Sequence, residues 1–240
     1  MHRLIFLVFL FTGACSQSPL EDCFVSTGPP RTKIISLSGS PKVIEVFDNL
    51  NVTWHLSDSN IIRLTCGRNL LNKIGIGFNG EKLELRNNAK CNWVRDYKKP
   101  IQLDLYSKSP SQLWLRGFGN FNTKDTIKTD IFWLVHYGAG KGDIKVRANS
   151  IAMDFNTYGH LKLSGEGEEA IIFALKEGKL DASQLKLKNM NIQLEGLNTI
   201  NAWVIDSIRG IIKSKGKLYY KGNPFIKAKA PDLNQFIPLN

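Results

Sequence analysis

The sequence predicts an all-β solenoid, a spiral of short strands, on three observations. Glycines recur at near-regular steps in the second half of the chain: Gly142, Gly159, Gly178, Gly196 and Gly216. Four of them open one phrase, Gly142-Asp-Ile144, Gly159-His-Leu161, Gly178-Lys-Leu180 and Gly216-Lys-Leu218, while Gly196 reaches Ile200 after a short delay. Their spacings of 17, 19, 18 and 20 residues are those of stacked coils, each one supersecondary unit. Apolar residues also alternate, as in Leu83-Glu-Leu85, Leu113-Trp-Leu115, Leu161-Lys-Leu163, Leu185-Lys-Leu187 and Ile192-Gln-Leu194. That is the two-residue period of half-buried strands. Finally, the runs are short and bounded by Gly, Asn, Asp and Ser, which supply turn chemistry. An immunoglobulin-like sandwich is the alternative architecture, but units of this length suit coils better than hairpins.

Taken in order, residues 1–14 read as an export signal. Met1-His2-Arg3 is a short positive region, Leu4 to Phe11 an apolar run, and Thr12-Gly13-Ala14 the small residues before a cleavage point. The run of eight residues is far below the ~20 that span a bilayer as a helix. Cys15 follows directly, as in bacterial lipoproteins whose cysteine carries the lipid, although Thr12 stands where leucine is usual. Plain secretion with an incidental Cys15 is the alternative. Residues 15–31 then read as a tether, with Ser16-Gln-Ser-Pro19 as a flexible stretch.

Residues 32–230 are predicted to form the solenoid. In its first part, residues 32–110, the strand-like runs are longer and less regular: Lys33 to Leu37, Val43 to Phe47, Asn51 to Leu56, Ile61 to Cys66, Lys82 to Arg86 and Ile101 to Tyr106. These supply irregular first coils and a cap, which a solenoid needs because each coil buries its apolar side only against neighbours. Residues 111–222 are closer to periodic. Ala170 to Lys176 reads as a buried strand with Ile171, Phe173 and Leu175 on one face. The final stretch, Pro224 onward and including the tail 231–240, is expected to lie across the other end.

Four cysteines are present. With Cys15 lipidated, Cys23 and Cys91 sit in turn-like contexts and form the favoured disulfide in an oxidising compartment. Cys66 lies in a strand-like run and packs as a small hydrophobe. No C-x-x-C or H-x-x-x-H spacing occurs, so no metal and no cofactor is expected.

The chain carries 32 basic and 21 acidic residues, a net charge of +11. The excess is spread over both halves, as on a solvated basic surface. Between Asp206 and Asp232 there is no acidic residue and there are seven basic ones. Lys213, Lys215, Lys217 and Lys221 share one strand parity with Tyr219, which predicts a lysine row on the water side.

Beyond these patterns, the chain resembles a known family. Phe47-Asp-Asn-Leu-Asn-Val52, Asn69-Leu-Leu71 with Ile74, Cys91-Asn-Trp-Val-Arg-Asp-Tyr97 before Pro100-Ile101, Gly117-Phe-Gly-Asn120 and Gly140-Lys-Gly-Asp-Ile144 are similar to segments of the head GIN domain proteins. These are described as auto-transporter adhesins and are frequent in Bacteroidetes. The likeness runs from about Cys23 to Ala230. It implies a right-handed parallel β-helix, a secreted or lipid-anchored envelope protein, and no catalytic residues.

Candidate ligand-binding residues fall in three places. Trp93 and Arg95, with Tyr97, Lys98 and Lys99, could grip a carbohydrate or polyanion by stacking and forked donors, or could plug the end of the core. Trp114 and Arg116 sit near Trp133, Phe118, Phe121 and Phe132. Strict alternation points Leu113 and Leu115 inward and Trp114 outward, unless neighbouring loops cover it. The third is the lysine row, Lys213, Lys215, Lys217, Tyr219 and Lys221, which would meet surface polysaccharide or another anionic envelope component. Nucleic acid is not expected, since only Tyr219 and Tyr220 could stack on bases.

Two further motifs read as structural. Tyr137-Gly-Ala-Gly-Lys-Gly142 lacks phosphate-loop spacing and suits a corner needing positive φ. Gly165-Glu-Gly-Glu-Glu169 reads as a solvated acidic loop rather than a Ca²⁺ site. Some β-helix proteins cleave polysaccharides, a chemistry that needs convergent carboxylates. Asp143, Asp154, Asp181 and Asp206 recur about once per coil in differing registers, without a recognisable catalytic set. The expected function is a non-enzymatic adhesive or binding module on an exported envelope lipoprotein. A β-helix polysaccharide lyase or hydrolase is the second reading.

Overall fold

In-register backbone pairing, repeated coil after coil, organises the molecule. The computed structural model describes residues 26–90 and 100–239. Residues 1–25, with the signal, Cys15 and Cys23, lie outside the described residues, as does the 91–99 segment with Cys91, Trp93 and Arg95. The described chain is an all-β solenoid of about 7 turns. No described helix is long and apolar enough to cross a membrane.

The first strands are β1 (Pro30–Ser36), β2 (Val43–Val46), β3 (Leu50–Leu56), β4 (Ile61–Gly67), β5 (Ile74–Phe78), β6 (Lys82–Asn87), β7 (Ile101–Ser107), β8 (Gln112–Leu115) and β9 (Phe121–Thr123). Their spatial order differs from their chain order. The coil β2–β3 lies between β6–β7 on one side and β8–β9 on the other, all in parallel. The outer edge of β7 is covered by β4, and that of β6 by β5, both antiparallel. β1 then covers β4. A parallel stack ends here in antiparallel strands, so its edge is not left open to pairing with another chain. β1 itself is exposed and carries Pro30, Arg31 and Lys33, residues that discourage further pairing.

The regular half contains β10 (Ile127–His136), β11 (Lys141–Thr157), β12 (His160–Lys176), β13 (Lys179–Leu194), β14 (Thr199–Ile212), β15 (Lys217–Lys221), β16 (Phe225–Lys229) and β17 (Phe236–Pro238). Lys141, His160, Lys179, Thr199 and Lys217 share one ladder, so successive coils are 19, 19, 20 and 18 residues long. The tail continues the spiral rather than crossing its end: β16 pairs with β14 and β17 with β15. Gln235 Nε2 ties the tail down by donating to the Ser214 and Gly216 carbonyls at 2.7 and 2.6 Å.

Alternation decides what is buried. In β11, Gly142, Ile144, Val146 and Ala148 point inward, the phase slips at the bend near Asn149, and Ile151, Met153, Phe155 and Thr157 point inward after it. Inward residues stack in rows, for example Leu103, Val52, Phe121, Gly142, Leu161, Leu180, Ile200 and Leu218. Size alternates within the row. A Cβ on Gly142 would lie 2.5 Å from Leu161 Cδ1, so the glycine gives Phe121 and Leu161 their space. Trp54 is fully buried and donates to Ser107 Oγ at 2.9 Å, which satisfies its indole. Cys66 is buried as expected, and burial pushes its thiol up to about 11.

Four local expectations need correction. Gly159-His-Leu161 stacks on Gly140-Lys-Gly142, since Lys141 pairs with His160; the apparent Gly142-Asp-Ile144 match is two residues out of register. In β12 the buried residues are Ala170, Ile172 and Ala174, while Ile171, Phe173 and Leu175 face outward. The small Ala170 and Ala174 fit inside beside large neighbours in their rows, which apolarity alone does not reveal. Gly165 to Glu169 is bent strand, not loop; Gly165 adopts φ +121°, and a Cβ added to it would lie 1.9 Å from the Val146 carbonyl oxygen. At the corners, Gly138 and Gly140 lack positive φ. Close stacking requires them instead: added Cβ atoms would lie 1.7 and 2.0 Å from the carbonyls of Gly117 and Gly119.

One inward slot holds an imidazole. His136 pairs with Leu115 on one side and Phe155 on the other, is 1% exposed, and its Nδ1 has no hydrogen-bond partner. Burial holds it down at about 4, against 6.5 for a free imidazole. The unfolded chain therefore takes up this proton first. The associated stability is complete above pH 6.5 and is lost as pH falls toward 4, about 3 kcal/mol in all. Urea unfolding at pH 7.0 and 4.5 checks this: His136→Leu flattens that loss. The reversed phase of β12 gives a second prediction. Ile172→Ala costs roughly 2–5 kcal/mol, whereas Ile171→Ala, at a position 46% exposed, costs about 1 kcal/mol or less on the same titration.

Candidate functional site

The bend in each long strand divides the outer surface into two faces of different chemistry. Residues before the bend, such as Lys141 to Arg147 and their stacked counterparts, make a polar face. Residues after it, at the ends of β10 to β12, make an aromatic and aliphatic face. On the latter, one outward row runs Lys82, Val43, Gln112, Trp133, Ala152, Ile171. The adjacent row runs Glu84, Glu45, Trp114, Val135, Asp154, Phe173. Trp133 is 44% exposed and Ile171 46% exposed, a contiguous apolar surface of the kind that marks a binding site.

Trp114 points outward between the buried Leu113 and Leu115, as alternation required, but it is only half-exposed. Its ring meets Trp133 at 6.1 Å and 56°. Its Nε1 donates to Gln112 Oε1 at 3.2 Å, and Lys82 Nζ and the Arg116 guanidinium lie 5.6 and 4.9 Å from its centroid. These cations are fixed by Glu45, whose side chain is 4% exposed. Lys82 Nζ is 2.5 Å from Glu45 Oε2 and 2.8 Å from Glu84, and Arg116 Nε donates to Glu45 Oε1. A buried carboxylate with two partners holds both cations against the indole. Arg116 also lies 5.3 Å from the Tyr137 ring, and Tyr137 Oη donates to Asp154 Oδ2. That hydrogen bond, with burial second, raises the Tyr137 phenol. Arg86 stacks 3.4 Å over Phe47 at the end of the face.

The predicted lysine row is broken by the corner at Gly216. Lys213 and Lys215 precede β15, and Lys213 is held 2.6 Å from Glu195 of the preceding coil. Only Lys217, Tyr219 and Lys221 share the outward side of β15. Lys221 lies 4.1 Å over the Trp203 ring, and Lys186 lies 5.7 Å from it. Tyr137, Ile171, Phe173 and Trp203 were not anticipated as surface features. Their signal is coil-length spacing: Trp114, Val135, Asp154 and Phe173 are one coil apart, and alignment in that register places them in one row.

Asp143, Asp154 and Asp181 do not converge on one point. Asp143 and Asp181 share a row with Lys162 between them, while Asp154 is on the other face. Asp181 accepts from Ser183 Oγ and N at 2.6 and 3.1 Å, bonds that hold it below the usual carboxylate range. In the open groove at the bend, about 610 Å³, Glu166 lies 3.4 Å from Arg147 and Glu168 pairs with Lys188. Among the described residues no group of three His, Cys, Asp or Glu is placed to hold a metal ion.

A family profile described as "Putative auto-transporter adhesin, head GIN domain" matches residues 40–224, spanning both faces. The chain belongs to the head GIN domain family. No curated protein matches it significantly in sequence. Among solved structures, a "putative adhesin" of Bacteroides fragilis is similar with TM-score 0.76 and 18% identity, covering 84% of this chain and 93% of that one. A second "putative adhesin", from Parabacteroides distasonis, matches with TM-score 0.65 and 16% identity over 89% and 95% of the two chains. A "putative lipid binding protein" of the same organism matches with TM-score 0.63 and 16% identity over 90% and 98%. At these identities the likeness establishes the shared fold.

Proposed function

We propose that this head GIN domain protein is a non-catalytic adhesive module at the bacterial cell envelope, and that its aromatic face binds glycans. The observation that carries this reading is the Trp114–Trp133 pair, presented outward and locked by Lys82, Arg116 and buried Glu45. Flat rings stack on the apolar faces of sugars, and rings already fixed lose little freedom on binding. A row of such contacts along a rigid axis suits a repetitive ligand, because many weak contacts then add. Family membership supports adhesion, and the scattered carboxylates offer no support for hydrolysis or elimination. A glycan array with the purified mature protein tests the reading. Trp133→Ala is expected to reduce retention at least tenfold without changing the unfolding midpoint by more than a few degrees. Equal retention by the variant, or release of reducing or unsaturated ends from a bound polysaccharide, would count against it.

The module is tethered, in this proposal, by lipid on Cys15, with the stretch between Cys15 and the packed Thr27 as spacer. Cys15→Ala is expected to move the protein from the membrane fraction to the soluble fraction on cell lysis and ultracentrifugation; retention in the membrane fraction would place the tether elsewhere.

A further inference from the structure

The polar face carries a second feature, which no single stretch of sequence displays. Its outermost row, read along the axis, runs Gln102, Asn51, Asn120, Lys141, His160, Lys179, Thr199, Lys217. No carboxylate belongs to it. Lys141, Lys179 and Lys217 occupy every second coil, about 9.5 Å apart at the strand spacing of a sheet. His160 fills the intervening coil, and Lys162 stands beside it in the next row, between Asp143 and Asp181. None of Lys141, Lys162, Lys179 and Lys217 forms an ion pair with a described carboxylate. Other surface lysines do pair, as Lys42 with Glu81 at 2.6 Å and Lys188 with Glu168. The Asp181 carboxylate, in the neighbouring row, accepts from Ser183.

The ladder therefore sets unpaired cations on a straight line, with Asp143 and Asp181 in the neighbouring row. His160 registers it: partial burial first, then Lys179, Lys141 and Lys162, hold its imidazole below the usual range, with Asp181 opposing. Beside the ladder is an open hollow of about 440 Å³, lined among others by Asn120, Asn122, Lys141, Asp143, His160 and Lys162. Its amide groups can donate to and accept from hydroxyls. We infer that this ladder binds a linear acidic polysaccharide lying along the solenoid axis, with one carboxylate or sulfate per disaccharide repeat meeting Lys141, Lys179 and Lys217 in turn. The two-coil interval matches a charge on alternate sugars. A membrane surface would call for a broad basic patch rather than a line of single lysines flanked by aspartates. Single-stranded nucleic acid would call for aromatics interleaved with the cations, and the ladder has none.

The site rests on the reading of the protein as a binding module but uses the opposite face from the tryptophan pair. Binding of hyaluronan oligosaccharides, which carry a carboxylate on alternate sugars, is measured by calorimetry at rising salt. Dextran oligosaccharides, oligo-dT and phosphatidylglycerol vesicles are run in parallel. Wild-type protein is expected to bind hyaluronan with an affinity that falls as salt rises. The triple change Lys141→Gln, Lys179→Gln and Lys217→Gln should weaken it at least tenfold. A control pair, Lys42→Gln and Lys188→Gln, removes lysines already in ion pairs and should alter it less than twofold, and Trp133→Ala should leave it unchanged. Absence of hyaluronan binding, an equal loss in the control pair, or tighter binding of oligo-dT or vesicles overturns the inference. If hyaluronan fails while neutral glycans are retained through Trp133, the ladder falls and the adhesive reading stands. Hyaluronan binding through the lysines, with array retention of other glycans unaffected by Trp133→Ala, leaves the ladder intact and removes the aromatic face instead.

Discussion

Stacking in register is the constraint on which everything else in this molecule depends. No coil has an interior of its own. Its inward side chains are buried only because the coils above and below present residues at matching positions, and the interstrand hydrogen bonds fix that match. Phe121 is accommodated because Gly142 lies beneath it, and corners close because Gly138 and Gly140 allow carbonyls to approach. The same register that builds the core aligns the outward residues, so every surface row is a by-product of core packing. A functional row on such a scaffold arises by changing one residue per coil without disturbing the interior.

Much of the architecture was legible in the sequence because the physics of alternation is local. Leu113, Trp114 and Leu115 announce their directions within three residues, and the glycine spacing announces the coil. Register was harder. A misplacement of two residues, such as pairing Gly142 rather than Gly140 with Gly159, preserves alternation and so passes unnoticed. In β12 the phase was misread because small inward alanines sit between larger outward apolar residues, and local hydrophobicity favours the wrong side. The candidate site was legible only in part. Trp114 and Arg116 could be picked out, but their fixation by Glu45, 71 residues from Arg116, depends on a coil order that no local pattern encodes. The lysine strip failed for a related reason: a corner at Gly216 interrupts what looked like one strand.

The two faces differ in how their charges are managed. On the aromatic face, cations are held in place by carboxylates and lie against rings, leaving flat apolar surface for contact. On the polar face, the ladder lysines are left without partners, and their mutual repulsion is tolerated because water screens them. One face offers shape and the other offers potential.

The inverted order of the first coils bears on how the chain reaches its native state. β2 pairs with β8 in a register that joins Val43 to Gln112, and with β6 joining Val43 to Lys82, so neither neighbour exists until well after β2 has been synthesised. The later coils close contacts only about one coil apart in sequence. The downstream pairings therefore close shorter loops, at a lower entropic cost, than those that seat β2 between its two partners. The strand at the head of the spiral thus owes its place to residues far along the chain, and a truncation before Gln112 would remove one of its two neighbours.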